Sequence, residues 1–254
     1  MKSQHIPMTI DEFHLMPHDL GWKYEYWEGQ AHISPGWINV VKTTVSVKPH
    51  PVVAPCEIRP LTEEDLPKFI PAYVAGFRDA IDYCDYSLAY VKRAASRHMQ
   101  DFFAGNRGNP LPASQVAIRR GHIVGAALIV ERKDQRCLLD LLFVRPSRQR
   151  QGLATALVAT ALNGLYKEGR EGLTSRFLLG NAASRAWHHR FGFVDELDAY
   201  LARAYYRTMA HNIEVLETMG IPCDENYQGF IEARDYWKEQ IGKLDPYPSA
   251  LDWV

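Results

Sequence analysis

No apolar run in this chain approaches the roughly 18 residues that a membrane-crossing helix requires, so no membrane-spanning segment is expected. The opening residues, Met1 to Pro7, lack the apolar core of a signal peptide, and a cytoplasmic protein is expected from that. Neither a GxxxxGK[ST] loop nor a GxGxxG turn occurs, which sets aside P-loop nucleotide binding and dinucleotide cofactors. The four cysteines, Cys56, Cys84, Cys137 and Cys223, are scattered without CxxC spacing. They fit reduced structural thiols better than a disulfide framework or a zinc site. The basic excess of a nucleic-acid binder is missing too: 29 Lys and Arg against 30 Asp and Glu leave a formal charge of −1, so no nucleic-acid partner is expected. His14 and His18 are four apart, but Pro17 disrupts the helix that would align them, and no metal is expected.

What is present is an ordinary globular composition, 46% hydrophobic and 23% charged, enough for one domain with additions or for two small ones. The most informative stretch is Gln149, Arg150, Gln151, Gly152, Leu153, Ala154. It follows the apolar segment Cys137–Val144 and opens a helix-period run at Leu153, Leu157, Ala161 and Leu165. A strand that turns through small residues into a helix start leaves several backbone N–H groups unpaired at the positive end of the helix dipole. That arrangement binds phosphate. Gly152 allows close approach of a ligand to the backbone, and Ala154 keeps the first turn unobstructed. Arg145, Arg148 and Arg150 cluster beside it.

A second motif lies downstream. Asn181, Ser184, His188, Gly192 and Phe193 stand in the order N-x-x-S-x-x-x-H-x-x-x-G-F, after a short apolar stretch, Ser175–Gly180, that reads as a buried strand. The first motif resembles the Q-x-x-G-x-A pyrophosphate loop of the GNAT superfamily of N-acetyltransferases. The second resembles that family's N-x-x-A/S-x-x-x-Y-x-x-x-G-F signature. The resemblance covers residues 56–200 and implies an α/β GNAT fold, a mixed central sheet flanked by helices, with acetyl-CoA as co-substrate. It implies that the backbone of Gln149, Arg150, Gln151, Gly152, Leu153, Ala154 and Thr155 holds the pyrophosphate. The main chain of Phe143 and Val144 would pair with the pantetheine arm, and Asn181 and Ser184 would lie against it, Asn181 also being suited to cap the following helix. His188 stands where many relatives carry a tyrosine that gives a proton to the leaving thiolate. Asp140, assigned by period-2 spacing to the strand face of Leu142 and Val144, is the candidate base, with Glu131 as a second; either can instead pair with an arginine.

On both sides the chain extends past this region. Residues 1–55 contain a capping-box helix start at Thr9–Glu12, a hairpin over Lys23–Pro35 turning at Glu28-Gly29, and a β-branched third strand at Val40–Val47, before a Pro-rich linker. The first 35 or so residues resemble the opening of Uma2-like proteins, without room for that family's nuclease residues. This head is read as a separable unit covering a sheet edge or walling the acceptor side, its aromatic residues as packing or as a pocket for an amine. After the second motif the resemblance leads one to expect a seventh strand, yet Tyr200–Met219 reads as a helix, Asp224–Ile241 as another, and residues 201–254 as a C-terminal helical extension. The activity expected is acetyl transfer from acetyl-CoA to a primary amine, small molecule or peptide, by direct transfer in a ternary complex. A non-catalytic acyl-CoA-binding module working through protein partners is the alternative, and a homodimer is the alternative use of the extensions.

Overall fold

The computed structural model describes residues 2–37, 39–221 and 225–244. Residues 222–224 and 245–254, part of the expected C-terminal extension, lie outside the described residues. The chain forms two compact units, one of residues 42–176 and 186–195, the other of residues 2–41, 177–185 and the chain from 196 on.

The first unit is built on a mixed sheet. Its strands are β4 (Val40–Ser46), β5 (Glu57–Pro60), β6 (Asn109–Pro110), β7 (Gln115–Arg119), β8 (His122–Glu131), β9 (Cys137–Val144), β10 (Gly172–Leu178) and β11 (Val194–Glu196). Their order is β11-β4-β10-β9-β8-β7-β5, with β6 pairing β8 to the side. The β7–β8 hairpin turns at Arg120 and Gly121, both at positive φ (51° and 75°), the primed-turn geometry that matches the twist of the flanking strands.

Helices cover both faces of this sheet. On one, α2 (Leu66–Phe77) and α3 (Leu88–Phe103) bury Phe69, Tyr73, Ala95 and Met99 against Leu128, Leu138, Leu141 and Phe143. On the other, α4 (Leu153–Lys167) buries Leu157, Leu162 and Leu165 against Ala127, Leu139, Val144 and Leu173. A Cβ added at Gly76 would come 2.8 Å from the Phe143 ring, so only glycine lets α2 lie this close to β9.

Two features of the sheet were not expected. First, β4, from the supposed head, is an interior strand between β10 and β11. It runs antiparallel to β10, as the flanking bonds Val47 N–H to Glu171 O (2.8 Å) and Leu179 N–H to Asn39 O (2.8 Å) show. The boundary between units therefore falls near residue 41 rather than 55, because a strand between two others belongs to the core it completes. Second, β9 carries a bulge: Leu141 pairs with Leu128 and Leu139 with Ile129, leaving Asp140 as the extra residue. The bulge breaks the period-2 alternation. Asp140 consequently lies on the side of Leu138, Leu141 and Phe143, beneath α3, and not on the face of Leu142 and Val144.

The second unit contains a three-stranded sheet ordered β1-β3-β2, from β1 (Gln4–Pro7), β2 (Trp22–Trp27) and β3 (Gln30–Pro35). The short helix α1 (Ile10–His14) starts at a Thr9–Glu12 capping box, and the β2–β3 hairpin turns at Glu28-Gly29. Helices α6 (Ala199–Thr218) and α7 (Glu225–Leu244) pack together, with Tyr205 stacked on Trp237 at 4.2 Å. His18 is stacked between Tyr24 (3.9 Å) and His211 (3.7 Å), and Asn212 exchanges two hydrogen bonds with the His18 backbone.

Candidate active site

The turn between β9 and α4 has a defined geometry. Strand β9 ends at Val144, a single 3-10 turn follows at Pro146–Arg148, and α4 begins at Leu153. Arg150 and Gly152 both adopt positive φ (59° and 76°), the left-handed backbone that turns the chain tightly into the helix. Gly152 is the N-cap of α4, and no side chain caps the helix. Its carbonyl accepts the first helical bond, from Ala156 N–H at 2.9 Å, which leaves the N–H groups of Leu153, Ala154 and Thr155 without intrahelical partners. A Cβ placed on Gly152 would meet nothing within 4 Å. The space a ligand would occupy is open.

The side chains around the loop divide the work. Leu153 is buried and anchors the helix in the core, so only its N–H can reach a ligand. Phe143 and Val144 likewise bury their side chains on opposite faces of the sheet. The Gln149 amide donates to Val144 O at 3.1 Å and braces the strand end against the loop; that carbonyl is therefore already engaged. Thr155 Oγ1 accepts from Trp187 Nε1 at 3.3 Å. This bond ties α5 (Ala182–Phe191) to the first turn of α4, and Trp187 was not singled out from the sequence.

Next to β9 the sheet forks. Strands β9 and β10 are parallel and share only two register pairs, Cys137 with Leu173 and Leu138 with Thr174. Beyond them, from Leu139 onward, β9 is paired only on its β8 side. Main-chain groups along Leu139–Val144 face this gap, and the gap leads toward the loop.

Two polar clusters stand at the fork, on opposite faces of the sheet. On the α4–α5 face, His188 is buried and its Nε2 lies 2.9 Å from Ser175 Oγ. Ser175 is the first residue of β10 past the last shared pair. On the α2–α3 face, the Asp140 carboxylate is 5% exposed and engaged by two partners. Arg107 Nε reaches Oδ2 at 2.7 Å and Arg107 Nη2 reaches Oδ1 at 2.9 Å, while His98 Nε2 lies 2.9 Å from Oδ2. Burial raises the Asp140 carboxyl, but the bonds to His98 and Arg107 outweigh it and hold the group below the ordinary carboxylate range. Tyr73 lies beside His98, with ring centroids 5.8 Å apart, and its hydroxyl is 2.7 Å from that of Tyr83.

The remaining sequence candidates sit elsewhere. Glu131 pairs with Arg170 and is in register with Cys137, at the end of the hairpin remote from the loop. A cavity of about 570 Å³ at that remote end is lined by residues 105–109 and 131–135. Its carboxylates are neutralised, Glu131 by Arg170 and Asp134 by Arg136. Asn181 Oδ1 accepts from Ser184 N–H at 3.1 Å and so caps α5. Among the described residues no group of three or more His, Cys, Asp or Glu is arranged to hold a metal ion, and no helix is long and apolar enough to cross a membrane. His98, Arg107 and Ser175 were not expected from the sequence. The one available signal was His98 itself, an imidazole in phase with the buried stripe Val91, Ala95, Met99 and Phe102.

Residues 81–193 match the acetyltransferase (GNAT) family. That stretch is similar to an acetyltransferase domain of that family. A search of curated proteins returned no match. Solved structures similar to it include a functionally unknown conserved protein from Staphylococcus epidermidis (15% identity, TM-score 0.47, 62% of this chain and 57% of that one). Others are the ribosomal-protein-S18-alanine N-acetyltransferase of Escherichia coli (24%, 0.42, 56% and 79%) and the PaiA N-acetyltransferase of Thermoplasma acidophilum in complex with coenzyme A (17%, 0.47, 55% and 90%). The chain thus spans little more than half the length of the first of these.

Proposed function

We propose that the protein transfers an acetyl group from acetyl-CoA to a primary amine by direct attack within a ternary complex. The observation that carries this reading is the fork: an unpaired edge on β9 that leads to the open N–H groups of Arg150–Thr155. The loop would hold the pyrophosphate by its backbone, with Arg145, Arg148 and Arg150 adding charge complementarity. The edge groups of Leu139–Phe143 would align the pantetheine arm as an added strand. His188, through its contact with Ser175 on the α4–α5 face, is the proposed proton source for the departing thiolate. A covalent route through cysteine is disfavoured by the thiols themselves. Cys137 is buried on the core side of β9, and burial pushes its thiol, like that of Cys56, above the ordinary range, whereas the nucleophile in such a route is the thiolate.

A second reading, a binding module without turnover, is favoured by one specific observation: the acid–base residues read from sequence are a buried histidine and two carboxylates each held by an arginine. Calorimetry with acetyl-CoA, run beside thiol release across an amine panel, separates the two. Binding with no thiol release from any amine supports the module. The loop itself is tested by Gly152→Glu, which would place a carboxylate in the open space against the pyrophosphate. Acetyl-CoA affinity should fall at least 100-fold, while Gly152→Ala, which carries only the positive-φ strain of about 1 kcal/mol, should lose little. Equal affinity in Gly152→Glu and wild type would show that the phosphate lies elsewhere.

A further inference from the structure

We infer that His98 is the general base that deprotonates the incoming amine, with Asp140 as the carboxylate that positions it; this rests on the acyl-transfer reading above. The argument begins with what Asp140 can no longer do. Both its oxygens are engaged by Arg107, at 2.7 and 2.9 Å. A bidentate pairing with a permanently charged guanidinium stabilises the ionised carboxylate. A carboxylate held in this way is a poor proton acceptor, and it sits at the bulge, two residues past the last shared β9–β10 pair.

The same carboxylate lies 2.9 Å from His98 Nε2. Imidazole is the side chain whose ordinary titration lies near neutrality, and a carboxylate close to the ring supports the cation formed when it takes a proton. The groups facing His98 are few. Asp140 comes from β9, Tyr73 from α2 with Tyr83 behind it, and Arg107 from the segment after α3; on its own helix Asp101 lies toward Arg107. Burial, the leading cause, holds the Tyr73 phenol far above its ordinary range, so it remains neutral. Asp82 lies by Tyr73 and Tyr83, so in this cluster His98 is the imidazole placed against the Asp140 carboxylate, and its side chain retains 10% of its accessibility.

The placement suits the reaction. His98 and Asp140 occupy the α2–α3 face of the fork, and His188 with Ser175 the opposite one, so a thioester aligned along the β9 edge would have a proton acceptor on one side and a donor on the other. An alkylammonium loses two protons in becoming an amide. His98 takes the first, freeing the lone pair that attacks the thioester carbon, and later returns it to solvent. As the C–N bond forms and the C–S bond breaks, the amine nitrogen sheds the second proton. The thiolate takes up one proton from His188 and leaves as free thiol, and the second amine proton restores His188.

The test uses the full chain, acetyl-CoA and whichever of lysine, tyramine, spermidine or a tripeptide with a free N-terminus the wild type acetylates fastest. His98→Ala and His98→Gln should lower kcat/KM by about 10²–10⁴-fold, the range for a lost general base, with unchanged acetyl-CoA affinity by calorimetry and an unchanged circular dichroism spectrum. The acid limb of the pH–rate profile should disappear in His98→Gln, and added imidazole should restore part of the His98→Ala rate. Asp140→Asn should keep that limb but move it to lower pH, since the imidazolium loses its counter-charge. A limb that persists in His98→Gln, failure of imidazole to rescue folded His98→Ala, or loss of the limb in Asp140→Asn alone would each overturn the assignment. Wild type that binds acetyl-CoA yet acetylates no amine overturns the acyl-transfer reading and His98 with it, an outcome distinct from an active wild type whose His98 variants match it.

Discussion

His188 occupies a position where burial and function conflict. It is 3% exposed, packed edge-on against Trp187 and Phe193, and in contact with Ser175 Oγ. Replacing it by Phe keeps a ring of similar size in the aromatic cluster and removes the exchangeable proton. If His188 feeds the thiolate through Ser175, His188→Phe and Ser175→Ala should each lower kcat by about 10²–10⁴-fold at unchanged acetyl-CoA affinity, and the double variant should lose little more than either single one. A loss below threefold in stopped-time assays at saturating substrates would reduce the pair to core packing. The contrast with Asp140 is instructive at the same scale. Both were legible in the sequence as residue types near a strand, but burial and partners are set by neighbours far along the chain, Ser175 in one case and His98 and Arg107 in the other.

Among the elements, the contact of residues 13–24 with α6 combines stacking with a titratable ring. Burial depresses His18 to about 4, and the neighbouring His211 adds to the effect. A histidine with a lowered folded-state pKa binds fewer protons folded than unfolded. The stability it contributes is therefore fully present above its unfolded value, near 6.5, and is lost as pH falls from there toward 4. The expected result is a melting temperature that drops between pH 6.5 and 4, with a shallower drop in His18→Phe, which keeps a stacking ring between Tyr24 and His211. An identical slope in both proteins would mean that His18 does not couple protonation to folding. Elements were where pattern reading did best. The hairpin turns at Glu28-Gly29 and Arg120-Gly121, the capping box at Thr9 and the helix beginning at Leu153 all depend on φ preferences and hydrogen bonds within a few residues. The bulge at Asp140 was invisible because it is a property of the β8–β9 register, and a single inserted residue exchanges the faces of everything before it.

For the whole molecule, the decisive feature is that β4 stands inside the sheet. From the sequence the N-terminal segment reads as a cover for a sheet edge or a wall of the acceptor side, and deletion of residues 1–50 tests that reading. With β4 between β10 and β11, that deletion removes buried Thr43 and Val45, opens a row of backbone donors and acceptors on β10, and strips β11 of its partner on that side. The truncated protein is expected to aggregate or to melt without a cooperative transition, as read by solubility and thermal circular dichroism. A soluble, cooperatively folded product would show that the strand is dispensable.

From the order of residues alone came the loop read as a phosphate site, the second motif, the helix that replaces the expected seventh strand, and with them the resemblance to the acetyltransferase family. All of these are local patterns, encoded by spacing along one element or across one turn. Only the tertiary structure decided which strand lies between β10 and β11, which face Asp140 takes, and which side chains meet at the fork. Each of those depends on contacts between residues tens to more than a hundred positions apart, such as Val47 with Glu171 or Asp140 with His98 and Arg107. Such contacts are selected by core packing and by the need to satisfy buried polar groups, and neither leaves a periodic trace in the sequence.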